Sequence, residues 1–207
     1  MEKTKANLVI NRLSKNFLDK PALNFSSNYE LLIAVMLSAQ CTDERVNKVT
    51  KVLFQKYNTP KSMLSLTQEG LEKYIFSCGL YKTKAKNILN ASKDIIEIYG
   101  GEVPNNLEDL QKLSGVGRKT ANVVYSVAFN GQAIAVDTHV FRVSNRIGLA
   151  KANNPLQTEK QLMQIIDKEK WSKAHHYLIY LGRSYCSSRK PDCKACVISE
   201  FCEKNIK

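Results

Sequence analysis

The sequence predicts an all-α protein, on three observations. Apolar residues recur at helical spacing along most of the chain, capping residues stand ahead of those runs, and no stretch alternates apolar and polar residues as a half-buried strand would. At 207 residues the chain can bury a proper core in one or two domains. Its 43% hydrophobic and 24% charged residues exclude a disordered chain.

Taken in order, Leu8, Val9, Ile10, Leu13 and Phe17 predict a short helix closed near Pro21. The run from Tyr29 to Ala39 is apolar on nearly every side, the pattern of a fully buried helix. Ser38-Ala39-Gln40-Cys41-Thr42-Asp43 follows it, and Gln40 at its mouth reads as a cap or a ligand-facing residue. Thr42 caps the next helix, with Val46, Val49 and Leu53 on one face and Lys48, Lys51 and Gln55 left for solvent. Pro60 starts a short helix and Thr67 another, which stops near Cys78-Gly79. Beyond Leu80, Ile88, Ala91, Ile95 and Tyr99 mark a long helix ended by Gly100-Gly101. Its first turns carry Lys82, Lys84 and Lys86, either a wet face or a phosphate contact. Cys41 and Cys78 lie beside apolar runs and read as core residues.

The stretch from Leu107 to His139 holds the densest chemistry. A short helix leads into Leu113-Ser114-Gly115-Val116-Gly117, and a second helix opens with Arg118-Lys119-Thr120. Two glycines one residue apart are expected to take positive φ and let a ligand approach the backbone. The unpaired N–H groups and positive dipole end of the following helix favour an anion there. In nucleic-acid binding such a hairpin holds a phosphate without reading sequence. Lys119 falls in the first turn, where the dipole disfavours a cation. That placement makes it a candidate amine nucleophile for Schiff-base chemistry, against a plain phosphate contact. Asp137 follows the apolar run Ile134-Ala135-Val136 and precedes Val140, Val143, Ser144 and Ile147 at helical spacing. By itself Asp137 reads as an N-cap, worth about 1 kcal/mol; with Lys119 it makes a lysine–carboxylate pair suited to a nucleotide.

Lys151 to Pro155 reads as a loop, with helices over Thr158 to Asp167 and Trp171 to Arg183. Adjacent His175 and His176 point to different faces and cannot form an i, i+4 metal pair, so they read as packing or surface residues. The chain ends in Cys186-x6-Cys193-x2-Cys196-x5-Cys202, four thiols that can wrap one tetrahedral ion or a cubane cluster. Zinc more often shows two Cys-x2-Cys knuckles, so the single pair leans toward iron–sulfur. Arg189 and Lys190, between the first two cysteines, form a basic loop suited to DNA phosphates.

A net charge of +12 and a pI of about 9.4 point to a polyanionic partner. The longest apolar run, Leu31 to Leu37, is too short to span a bilayer, and Met1 to Leu13 has no signal-peptide pattern. A cytoplasmic, nucleoid-associated monomer with no membrane partner is expected.

Leu-Ser-Gly-Val-Gly-Arg-Lys-Thr-Ala-Asn-Val-Val at 113 to 124, Val-Asp-Thr-His-Val-Phe-Arg-Val at 136 to 143 and the four-cysteine spacing together resemble bacterial endonuclease III, a helix-hairpin-helix family of DNA glycosylases. The resemblance implies a two-lobed all-α fold, with a bundle lobe over 22–132 holding the hairpin at about 105–130. The second lobe, 1–21 plus 133–207, would carry a [4Fe-4S] cluster on Cys186, Cys193, Cys196 and Cys202. It further implies a bifunctional glycosylase and AP lyase of base excision repair, acting on double-stranded DNA with a damaged pyrimidine or an abasic site bound between the lobes. By motif position, Lys119 would be the nucleophile and Asp137 its assisting carboxylate. Gln40 and Leu80 would fill the gap left by the extruded nucleotide; Gly115, Gly117, Arg118, His139, Arg189 and Lys190 would meet the DNA. The family's hairpin usually carries proline where this chain has Ser114, which loosens the turn and leaves both glycines in place. An adenine-specific mismatch glycosylase typically lacks the hairpin-helix lysine, and a non-catalytic DNA-binding module leaves the pairing of Lys119 with Asp137 unexplained.

Overall fold

Helix α2 (Asn28–Ser38) is buried continuously from Tyr29 to Leu37. Its six fully apolar large side chains from Leu31 onward have no polar face to turn outward, so neighbours must cover it all round. Fully burying one such side chain stabilises by about 1.5–3 kcal/mol. The computed structural model describes residues 1–206, and they form two compact units, Ala22–Phe129 and Met1–Pro21 with residues 130–206.

Within the first unit, α2 packs against α3 (Asp43–Leu53), α6 (Tyr81–Glu97) and α8 (Arg118–Ala128). The short helices α4 (Pro60–Met63) and α5 (Gln68–Ile75) lie on α6, and α7 (Leu107–Lys112) lies on α8. Side-chain oxygens begin most of these helices. Ser27, Thr42, Thr59, Thr67 and Asn106 each accept from the N–H three residues on, the donor that a helix start leaves unpaired. One polar pair lies in the core: the Tyr29 hydroxyl meets Ser92 Oγ at 2.6 Å, and burial pushes the Tyr29 phenol well above its usual range.

The second unit is built on α11 (Trp171–Ser184), which packs on α1 (Lys3–Ser14) and α9 (Thr138–Ile147). Helix α10 (Pro155–Ile165) and a 3-10 turn, Lys168–Lys170, complete it. Its core joins Ala6, Val9, Ile10 and Leu13 to Val140, Val143, Ile147, Leu178 and Leu181, with Ile134 and Val136 of the extended run laid against them.

The expected all-α character holds: no strand occurs among the described residues. Three local readings change. The first helix stops at Ser14, and Leu8 is 50% exposed while Ala6 takes an inward place. Helix α10 starts at Pro155 because Asn154 caps it. Lys84 stands on neither the wet face nor the phosphate-contacting face read for its lysine cluster, and is 6% exposed. Among the described residues, no helix is long and apolar enough to cross a membrane.

Candidate active site and nucleic-acid interface

The glycine hairpin is anchored by two apolar pegs. Leu113 and Val116 are buried, and the Val116 N–H closes the turn on Leu113 O at 3.0 Å. Between and beyond the pegs, Gly115, Gly117, Arg118 and Lys119 are exposed. Gly115 has φ +76°, and a Cβ there would stand 2.7 Å from Asn87 Cβ and Nδ2 on α6. The expectation that both glycines take positive φ is corrected at Gly117, whose φ of −82° and ψ of 174° are open to any residue. Gly117 is instead the N-cap of α8 and supplies no side-chain cap, so the helix start presents backbone N–H groups. With the dipole behind them and Lys119 in the first turn, these groups form a surface suited to a phosphate.

Asp137 is half-buried at the N-cap of α9, and its Oδ1 accepts from Val140 N at 2.8 Å. The buried run Ile134 to Val136 fixes where the carboxylate emerges. His139, in the first turn of α9, holds Nδ1 at 3.2 Å from Arg142 Nη2. Burial lowers the His139 pKa against the opposing pull of Asp137, and the Arg142 and Arg183 cations add to the lowering. Lys119 belongs to the 22–129 unit and Asp137 to the other.

Gln40 and Leu80 share an unusual backbone state. Both are exposed, and both are non-glycine residues in the left-handed region, at φ 52° and 60°. The Cβ–carbonyl crowding there costs about 1–2 kcal/mol for each. Three features bring their two loops together. A Cβ on Gly79 would stand 3.1 Å from Gln40 O. Lys84 Nζ donates to Leu37 O at 2.8 Å and Ala39 O at 2.6 Å. Cys78, buried, and Cys41, half-buried, lie thiol to thiol, and burial pushes the Cys78 thiol up to about 11.

The family model of the HhH-GPD superfamily of base excision DNA repair proteins matches residues 33–168, a span that takes in the hairpin, Lys119 and Asp137. The chain belongs to this superfamily. Endonuclease III of Rickettsia felis is 54% identical over 185 residues, which cover 89% of this chain and 86% of that protein. Endonuclease III of Escherichia coli (strain K12) is 47% identical over 204 residues, 98% and 97% of the two chains. Among solved structures, an endonuclease III trapped as a covalent intermediate with DNA superposes with a TM-score of 0.93 at 48% identity, covering 99% of this chain and 97% of that one.

One expectation drawn from the superfamily resemblance does not survive. Cys186, Cys193, Cys196 and Cys202 are free, half-buried and line one cavity. Yet among the described residues no group of three or more His, Cys, Asp or Glu side chains is placed to hold a metal ion. The sulfurs of Cys186 and Cys202 are engaged by the protein. Arg146 Nη1 donates to Cys186 Sγ at 3.6 Å, the Cys202 thiol donates to Arg146 O at 3.6 Å, and Cys202 Sγ accepts from Lys204 N at 3.3 Å. Burial raises the Cys196 and Cys202 thiols above their ordinary value, favouring the protonated form over the thiolate that a metal takes. The [4Fe-4S] cofactor, the cluster loop in the fold class and the metal role of the four cysteines are therefore corrected.

The basic loop expected to be pinned by that cluster is held by arginines instead. Arg146 donates to Ser187 O at 2.7 Å and to Ser188 O at 2.8 Å, leaving Arg189 and Lys190 exposed beyond them. One turn earlier on α9, Arg142 bonds Gly182 O and Cys186 O at the end of α11. Sequence reasoning missed Arg142, Arg146, Asn87 and the buried state of Lys84. Only Lys84 carried a signal, since it falls four residues before Ile88 on the buried stripe of α6.

Proposed function

We propose that this chain excises oxidised pyrimidines through a Schiff base on Lys119, assisted by Asp137, and nicks the strand by β-elimination. The activity is that of a bifunctional DNA glycosylase and AP lyase of the endonuclease III type, acting on double-stranded DNA that holds a damaged base. The observation that carries the residue assignment is the hairpin itself. An exposed lysine stands in the first turn of a helix whose start is uncapped by a side chain and preceded by two exposed glycines. A phosphate held on those N–H groups brings its neighbouring sugar to the amine.

The lesion leaves the stack at a cost of a few kcal/mol, lowest for a poorly stacked base. Gln40 and Leu80 enter the space it vacates. The neutral Lys119 amine attacks C1′ as the C1′–N bond to the base breaks, and the Asp137 carboxylate stabilises the positive charge that develops on the sugar. Ring opening leaves a protonated imine between Nζ and C1′. Loss of a C2′ proton sends its electron pair toward C3′, the C3′–O bond to the 3′ phosphate breaks, and water then hydrolyses the imine to free Lys119. Gly115, Gly117, Arg118, His139, Arg189 and Lys190 hold the backbone on either side, contacts that position without reading sequence. A cytoplasmic, nucleoid-associated location belongs to the same proposal, since the substrate is there.

Borohydride reduction during reaction on a duplex with a single thymine glycol tests the assignment. A covalent protein–DNA adduct that disappears in Lys119→Gln, with DNA binding retained, is the expected result. An adduct of undiminished yield in that variant would remove Lys119 from the chemistry. Absence of any adduct from the unaltered protein, with tight binding, would favour a non-catalytic DNA binder.

A further inference from the structure

Helix α2 ends without the glycine cap that normally satisfies last-turn carbonyls, and a left-handed glutamine follows almost at once. A lysine does the glycine's work from another helix. Lys84 is buried in the first turn of α6, the helix whose N-cap is Leu80, and both its donor contacts go to carbonyls at the end of α2. One ammonium therefore joins the two loops on which Gln40 and Leu80 stand, at the negative end of the α2 dipole where a cation is favoured. The close fit of Gly79 under Gln40 O sets the same spacing independently.

We infer that Lys84 is a positioning residue for lesion extrusion: it locks the Gln40 and Leu80 loops together, so that both exposed side chains are preset as one wedge before DNA arrives. This rests on the wedge role proposed above for Gln40 and Leu80. Neither Lys84 nor Gly79 meets the reacting atoms, and the lock matters only when a base pair must be opened and its gap filled. A single-stranded abasic oligonucleotide presents neither task.

The experiment compares single-turnover nicking of a thymine glycol duplex with borohydride trapping on a single-stranded abasic oligonucleotide. Its variants are Lys84→Met, Gly79→Ala, Leu80→Ala and the Lys84→Met/Leu80→Ala double. Preorganisation losses of this kind slow a reaction on the order of tenfold. Lys84→Met and Gly79→Ala should each lose about that much on the duplex and keep trapping within about twofold, and Lys84→Met should add nothing to Leu80→Ala. Equal losses on both substrates, or a full further loss in the double variant, would make Lys84 a general structural residue and overturn the inference. A duplex loss in Leu80→Ala without one in Lys84→Met or Gly79→Ala would overturn it and leave the wedge standing. No duplex loss in Leu80→Ala would remove the wedge, and this inference with it. Should Lys84→Met fail to fold, Gly79→Ala decides, because it removes no hydrogen bond.

Discussion

Gly115→Ala should be the most costly single-methyl change in the hairpin, and Gly117→Ala nearly silent for folding, although the two glycines look equivalent in sequence. At Gly115 two penalties add. Placing an L side chain at φ +76° costs about 1–2 kcal/mol. The new Cβ would also meet Asn87 Cβ and Nδ2 at 2.7 Å, a distance that demands movement of α6 or of the turn, and such overpacking costs about 1–3 kcal/mol. Together that is about 2–5 kcal/mol, a large part of the 5–15 kcal/mol that holds a typical domain. At Gly117 nothing lies within 4 Å of the added methyl and φ is ordinary. Alanine is a poorer N-cap than glycine, by up to about 1 kcal/mol, but it also restricts the unfolded chain by about 0.4–1 kcal/mol in its favour. The net is within about 0.5 kcal/mol. Urea unfolding of both variants gives the two numbers directly, provided the m-values are unchanged. Gly117→Ala should nonetheless weaken DNA binding if the proposed contact holds, because its methyl would stand beside the α8 N–H groups to which that proposal assigns a phosphate. Asn87→Ala added to Gly115→Ala should recover part of the loss by removing Nδ2. Equal stability costs at the two glycines would refute the reasoning, as would no recovery with Asn87→Ala.

Asp137 is the N-cap of α9 and, in the function proposed above, also the carboxylate that assists Lys119, and the two roles are separable. Asp137→Asn keeps an oxygen for Val140 N–H, so its unfolding midpoint should hold while turnover falls by more than tenfold; Asp137→Ala should lose about 1 kcal/mol of stability as well. A loss of stability in Asp137→Asn as large as in Asp137→Ala would reduce the residue to its cap. Buried His176, whose Nε2 has no hydrogen-bond partner among the described residues, has its pKa lowered by burial to about 4, against the opposing pull of Asp19. Both folded and unfolded states hold it neutral above about pH 6.5. As pH falls from about 6.5 toward 4 only the unfolded state gains the proton, so its support is lost at up to about 1.4 kcal/mol per pH unit. Chemical denaturation of His176→Phe between pH 7 and pH 4 should show a flatter decline than the unaltered protein; parallel curves would exclude His176 as a source of acid lability.

What could be read from the chain was local. Thr42, Pro60, Thr67 and Asp137 stand where the structure has caps or first-turn residues, because a cap is a bond between residues three apart and its chemistry travels with the sequence. The apolar run of α2 announced burial for the same reason. Lys84 shows how one local rule can mask another. Beside Lys82 and Lys86 it looks like one of three solvated charges, yet its spacing to Ile88, Ala91 and Ile95 places it on the inward stripe, and the carbonyls that pair it lie more than forty residues earlier. Arg142 and Arg146 are alike in this: they sit one turn apart on α9, and what they hold, the end of α11 and the loop of Ser187 and Ser188, is about forty residues away. The cysteine spacing erred in the opposite direction. Spacing fixes how many sulfurs a short segment can offer, whereas ligation depends on where each thiol points and whether it is ionised. Here an arginine and backbone groups have taken up sulfurs that the spacing assigned to iron. The hairpin lies between these cases. Its glycines were legible as a backbone that a ligand can approach, but which of them needs to be glycine is decided by Asn87, a residue on another helix that no pattern within the hairpin mentions.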